Sequence, residues 1–235
     1  MISCSLNAVS QVISPANSYF TSSGIRKLFF GLLLVLFFGG NSAQGQGQGY
    51  ALTFNGTNQY VNLPYGNTTS TAVTVEFWFR TTATQTACLF GQSTVYPSGA
   101  PTSWVPVVSL TSLGKIKAVY WSGTEQGITS ASSYNDGKYH HLAFVGNLKS
   151  HILYIDGVSV GTTTTANNIN QSWWTRSTIG VGYGSTAYGY ASSAWSYFPG
   201  TIDEVCIRND ARTLAEIQSN MASGIVGNEA GLAAY

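Results

Sequence analysis

VTVEFWFRT, residues 73–81, places Val73, Val75, Phe77 and Phe79 on one face and Thr74, Glu76, Trp78 and Arg80 on the other. A period of two over this length predicts a β-strand with one face in a core. Trp78, on the opposite face, is expected half exposed or under a second layer. Working outward, further strand candidates lie at 104–110, 115–121, 140–145, 151–155, 178–183 and 202–207. Their number and spacing predict two antiparallel sheets packed face to face.

Turn chemistry fits this register. Asp136-Gly137 precedes the 140–145 strand, and Asp156-Gly157 separates Leu153-Tyr154-Ile155 from Val158-Ser159-Val160. A two-residue hairpin needs positive φ where Asp and Gly tolerate it, so Asp156 reads as a turn former rather than a ligand carboxylate. One helix is expected: Thr213 and Glu216 form a capping box, and Leu214, Ile217 and Met221 recur at helical spacing.

Composition narrows the function classes. Charged residues make up only 8% of the 235, and ten Lys and Arg against nine Asp and Glu leave a net charge of +1. No basic stripe is present, so nucleic acid is excluded as a partner. Polarity instead rests on Ser, Thr, Asn, Gln and Gly, which suits a secreted β-protein and neutral ligands such as glycans. Arg26 and Lys27 precede an apolar run at 28–38, then Gly39, Gly40 and Asn41-Ser42-Ala43. This order predicts a signal peptide over 1–43, cleaved after Ala43. The run is shorter than the roughly 20 residues that span a bilayer, and an uncleaved anchor is the alternative. Residues 44–49 read as a Gln/Gly spacer. Of three cysteines, Cys4 leaves with the signal. Cys88 and Cys206 either pair in an oxidising compartment or stay separate thiols.

Five phrases in order, ALTFNGTNQYVNLP (51–64), VTVEFWFRT (73–81), DGKYHHLAFV (136–145), LYIDGVSVG (153–161) and GTIDEVCIRNDARTLAEI (200–217), resemble the concanavalin A-like lectin/glucanase superfamily. Within it, they are similar to the laminin-G-like (LamG) jelly roll. The resemblance covers 50–223 and implies an all-β sandwich of two antiparallel sheets with one short C-terminal helix. Residues 224–235 read as a linker or the start of a following domain, because GLAAY resembles a first jelly-roll strand.

The scaffold hosts binding modules and hydrolases alike, so function rests on a site. Glucanases on this scaffold use paired carboxylates. Here Asp203 and Glu204 are adjacent and face opposite ways, and pairs such as Glu76 with Glu125 or Glu204 lack a strand motif, so no catalytic residue is expected. The resemblance assigns His140 and His141 structural roles, with hydrogen bonds to nearby backbone. In several branches a structural Ca²⁺ joins the first strand to the last. Asp203, in a D-x-V phrase, with Asn55, Gly56 and Asn58 at the early turn, is the matching candidate set; the rival is that Asp203 only hydrogen-bonds a turn. The acidic cluster that holds calcium in pentraxin-like relatives has no counterpart at 180–200.

Aromatic loops form the ligand-binding candidates. Tyr183, Tyr188, Tyr190, Trp195 and Tyr197 crowd one Gly/Ser/Ala-rich segment, and Trp173 and Trp174 follow an Asn-rich one. Such rings can stack on the CH face of a sugar and hydrogen-bond its hydroxyls. They serve equally as lid or core residues, and a solvent-exposed row separates the readings. The expected function is a secreted, non-catalytic carbohydrate-binding or adhesion module of a larger extracellular protein, with a carbohydrate or extracellular glycoprotein partner and no stable membrane span after signal cleavage. A divergent glycoside hydrolase or lyase, and a structural spacer of a surface protein, are the alternatives.

Overall fold

The computed structural model describes residues 51–63, 71–171, 174–224 and 232–234. The segment 1–43 read from sequence as a signal peptide, the spacer 44–49 and most of the tail lie outside the described residues. In chain order the strands are β1 (Leu52–Asn55), β2 (Val61–Leu63), β3 (Ala72–Arg80), β4 (Ala87–Ser93), β5 (Trp104–Leu110), β6 (Lys115–Ala118), β7 (Ile128–Ser133), β8 (His140–Asn147), β9 (Ser150–Ile155), β10 (Val158–Thr164), β11 (Arg176–Ile179), β12 (Val181–Gly184), β13 (Ala194–Tyr197), β14 (Pro199–Arg208) and β15 (Leu232–Ala234). Helix α1 (Leu214–Ser223) follows β14.

One sheet runs β1-β14-β3-β8-β9-β10, with β15 also on β14; the second runs β2-β11-β4-β5-β6-β7. Every pairing is antiparallel, and non-consecutive neighbours such as β3 between β14 and β8 give the jelly-roll crossovers. Val73, Val75, Phe77 and Phe79 are all buried, as their alternation predicts. Each contributes roughly 1.5–3 kcal/mol on burial. Tyr120 stacks on Phe144 at 4.3 Å between centroids, and its hydroxyl donates to the Phe144 carbonyl at 2.9 Å. This leaves the core ring without an orphaned polar group.

Helix α1 covers the outer face of the first sheet. Its Ile217 packs with Ala143, Val145 and Tyr154. Thr213 Oγ1 accepts from the Glu216 N–H, and Glu216 Oε2 accepts from the Thr213 N–H at 2.8 Å, the reciprocal cap foreseen from sequence. Beneath the helix lie Glu76 and His141, 3.8 Å apart, with Asn220 Nδ2 donating to Glu76 Oε1 at 3.3 Å. Leu232–Ala234, read from sequence as the opening of a following domain, lies on β14 as β15, on the same side of that strand as β1.

The predicted 178–183 strand is interrupted. Gly180 adopts φ +78°, ending β11 and sending the chain out of the second sheet. Residues 181–197 then form a separate hairpin, β12–β13, laid over the outer face of β4 and β5.

Candidate functional site

The hairpin owes its position to glycine. Alternation along β12 turns Gly182 and Gly184 to one side and Tyr183 to the other. A Cβ on Gly182 would run into Cys88 Sγ, and one on Gly184 into the Tyr190 ring. Only glycine permits so close an approach to β4. Beyond the strand pairing, Ser196 Oγ donates to the Thr86 carbonyl at 3.0 Å, fastening β13.

The same alternation sorts the aromatic residues singled out in the sequence. Tyr183 and Trp195, opposite each other in the hairpin register, stand half-buried on its outward side, and Tyr197 follows two positions on, beside Tyr60. Tyr190 turns inward instead. It is buried, and its hydroxyl lies 2.6 Å from Ser109 Oγ on β5. Of the two readings open for this candidate, ligand ring or lid, its burial fits the lid. The physical reason is the packing of its ring against Gly184, which leaves no face for a ligand. Tyr188 is likewise buried, with Lys117 Nζ 5.9 Å from its ring centroid. Trp174 is buried within the core cluster. Trp173 lies outside the described residues.

Where the hairpin tip meets the edge of the second sheet, a cleft of about 210 Å³ opens. Its walls include the indoles of Trp104, Trp121 and Trp174 and the phenol of Tyr188, and Thr102, Ser103, Ser185 and Glu125 complete its lining. The sequence reading did not single out Trp104 or Trp121, and it weighed Glu125 only as a carboxylate partner for Glu76. Their signal is positional: Trp104 opens β5, and Trp121 and Glu125 belong to the loop after β6. Aromatic side chains at strand ends project where loops build sites.

Glu125 is the charged residue among those lining the cleft, and Lys117 stands nearby against Tyr188. Burial lowers the pKa of Lys117, and the charge of Glu125 partly restores it. Burial, then the same carboxylate, pushes the Tyr188 phenol well above its ordinary range. The indole N–H groups of Trp104 and Trp174 are buried with no hydrogen-bond partner among the described residues. Such unspent donors are uncommon in folded proteins.

The other candidates are placed elsewhere. His140 sits between the two Asp-Gly turns, with Nδ1 2.8 Å from Asp156 Oδ2 and Nε2 3.1 Å from Asp136 Oδ1. It ties the turns together through carboxylates rather than backbone. Asp156 and Gly157, at φ +51° and +70°, form the expected tight turn. Glu76 is buried under α1, on the opposite side of the sandwich from Glu125, so the two do not form a catalytic pair. Burial lifts the Glu76 carboxyl to about 7, while hydrogen bonding to Asn220 and the charges of Arg208 and Arg212 oppose the rise.

The proposed calcium donors do not converge. Asn55 pairs with Pro199, so Asp203 lies four residues further along β14, about 13 Å at the usual strand rise. Asn55 Oδ1 accepts from the N–H groups of Thr57 and Asn58 at 2.9 and 3.2 Å, and Asn55 Nδ2 donates to Asn58 Oδ1 at 2.9 Å. Gly56 serves the turn with φ +73°, and Asp203 Oδ1 accepts from the Glu204 N–H at 2.9 Å. Asp203, Asn55, Gly56 and Asn58 therefore do not fit a Ca²⁺ ion, which needs six to eight converging oxygens. Among the described residues, no group of three or more His, Cys, Asp or Glu is placed to hold a metal. Cys88 lies beneath the hairpin, whereas Cys206 shares the outer face of the first sheet with Glu76; the two form no disulfide.

The fold has known counterparts. Domain 4 of the extracellular arabinanase AbnA from Geobacillus stearothermophilus, solved with arabinotriose, superposes with a TM-score of 0.54 at 21% identity, covering 77% of this chain and 80% of that one. A candidate carbohydrate-binding protein from Bacteroides ovatus gives 0.56 at 16% identity, covering 79% of this chain and 51% of that one. The Trypanosoma rangeli sialidase gives 0.50 at 14% identity over 73% of this chain and 27% of that one. At these identities the likeness is one of fold. A search of curated proteins finds no match to the chain. A laminin-G family model matches residues 55–218, most of the sandwich just described, and the chain belongs to the concanavalin A-like lectin/glucanases superfamily.

Proposed function

We propose that the chain is a secreted, non-catalytic carbohydrate-binding module of a larger extracellular protein, and that its ligand enters the cleft between the hairpin tip and the second sheet. The observation behind this reading is the lining itself. Three indoles and one phenol surround a small opening that also presents hydroxyls from Thr102, Ser103 and Ser185. Apolar CH faces of a sugar ring lose water against the aromatic walls, while its hydroxyls exchange water for the serine, threonine and Glu125 oxygens. The shared fold of an arabinanase domain solved with arabinotriose supports a glycan as the occupant.

The placing of the carboxylates supports a binding role as well. Glycosidases of the paired-carboxylate type place two acidic groups roughly 5–10 Å apart across the scissile bond. Among the described residues Glu125 is the one carboxylate lining this cleft, and Glu76 is sealed under α1. Export rests on the charged, apolar and small-residue order of residues 26–43. Among the described residues no helix is long and apolar enough to cross a membrane.

Affinity electrophoresis and a glycan array test the proposal. The parent protein is expected to retain on at least one neutral polysaccharide, and Trp121→Ala to lose that retention while keeping the parent's circular dichroism. Release of reducing ends that disappears in Glu125→Gln would replace this reading with a hydrolase.

A further inference from the structure

The cleft does not end at Trp104. The Trp104 and Tyr183 rings meet edge to face at 4.9 Å between centroids, and Tyr183 and Trp195 do the same at 5.4 Å. Trp104 is a cleft wall, whereas Tyr183 and Trp195 stand on the outward side of the hairpin. The row therefore begins inside the cleft and emerges onto the surface. Its rings are already anchored: Trp195 Nε1 donates to the Gly99 carbonyl at 2.8 Å, and the Tyr183 hydroxyl donates to the Ser193 carbonyl at 3.3 Å. Side chains fixed before binding lose little rotamer freedom on contact, which favours affinity.

Charge narrows the occupant. At the cleft end the charged lining residue is Glu125, and the groups fastening the row are backbone carbonyls. Glu125, exposed at the cleft, disfavours an anionic chain.

We propose that the ligand is a linear, uncharged oligosaccharide, one unit in the cleft and the following units laid across Tyr183 and Trp195. This rests on the cleft reading above and adds to it a length dependence and a direction. Each step between ring centroids is comparable to the size of one sugar ring, so successive units meet successive rings.

The test is calorimetric titration of the parent chain, Trp195→Ala and Trp195→Phe with ladders of one to six units of arabino-, xylo-, cello- and laminari-oligosaccharides. A galacturonic acid ladder serves as the charged counterpart. In at least one neutral ladder, parent affinity is expected to climb over the first three or four units and then level. Trp195→Ala should flatten that climb, binding the longest member about tenfold more weakly, equivalent to about 1.4 kcal/mol, with the shortest bound member unchanged. Trp195→Phe keeps one aromatic ring while giving up the Nε1 bond and part of the stacking face, so it should retain most of the climb. Parental length dependence in the Ala variant, parental Kd values independent of length, or loss of the climb in both variants would overturn the track. Tighter binding of galacturonic acid units would overturn its neutral character. No binding of any ladder by the parent would instead remove the cleft reading, and this inference with it.

Discussion

Single buried titratable groups give the molecule a readable pH profile. His151 is fully buried, edge to face against the stacked Tyr120 and Phe144 rings, and neither ring nitrogen has a hydrogen-bond partner among the described residues. Burial lowers it from 6.5 to about 4. The unfolded chain thus takes up a proton that the fold refuses, so stability from this group is complete above 6.5 and is lost as pH falls toward 4, by up to roughly 3 kcal/mol. Urea midpoints between pH 7 and 4 should decline accordingly, and His151→Leu should shallow the decline; an unchanged slope would contradict the assignment. Glu76 works in the opposite sense. Its carboxyl is raised from 4.5 to about 7, chiefly by burial, so its contribution is complete below 4.5 and is lost as pH rises through 7. Glu76→Gln is expected to exceed the parent in stability at pH 8 by up to about 3 kcal/mol, the margin vanishing near pH 4.5. A less stable variant at pH 8 would mean that attraction to Arg208 and Arg212 outweighs burial. Neighbouring His141, lowered to about 4 by burial, offsets Glu76 between 4.5 and 6.5: the fold keeps on the carboxyl a proton that the unfolded chain keeps on an imidazole. None of this was legible in the sequence, where Glu76 is one polar position in an alternating strand. Its environment comes from α1, more than a hundred residues later.

At the scale of elements, periodicity revealed what depends on near neighbours. The alternation in β3, the Asp-Gly turn at 156–157 and the Thr213 capping box each depend on residues within a few positions, and each reads directly from sequence. The hairpin does not. Residues 178–183 form one uninterrupted pattern on paper, and only Gly180 at φ +78° divides β11 from β12. Which rings of 183–197 face outward follows from where Gly182 presses on β4, a contact between segments about ninety residues apart, and from where Gly184 presses on the Tyr190 ring. Gly182→Val should therefore lift the hairpin. We expect it to lower the melting temperature by several degrees, as overpacking by roughly 1–3 kcal/mol would, and to abolish glycan retention. Parental melting together with parental retention would show that the close approach is not needed.

For the whole molecule, the order of five phrases was enough to place the chain in its superfamily, because crossovers fix which strands become neighbours. The site was half legible: Tyr183 and Trp195 were singled out, whereas Trp104, Trp121 and Glu125 gain meaning only when β5, the loop after β6 and the hairpin tip converge. The calcium candidates separate at the same scale, since a four-residue offset in register lies between Asp203 and the Asn55 turn. Chelation with EDTA is accordingly expected to leave the melting temperature within a degree of the untreated protein; a fall of several degrees would require donors outside those residues. The covering of β4 has one more consequence. It pairs with β11 and β5 at its edges, and the core and the hairpin enclose its two faces. Its amides should be among the last to take up deuterium, and reaching them by partial opening requires the hairpin to swing away first. A saccharide clamping that hairpin would slow labelling in the middle of the sandwich, so occupancy at the rim could be read from the protein's deepest strand by mass spectrometry.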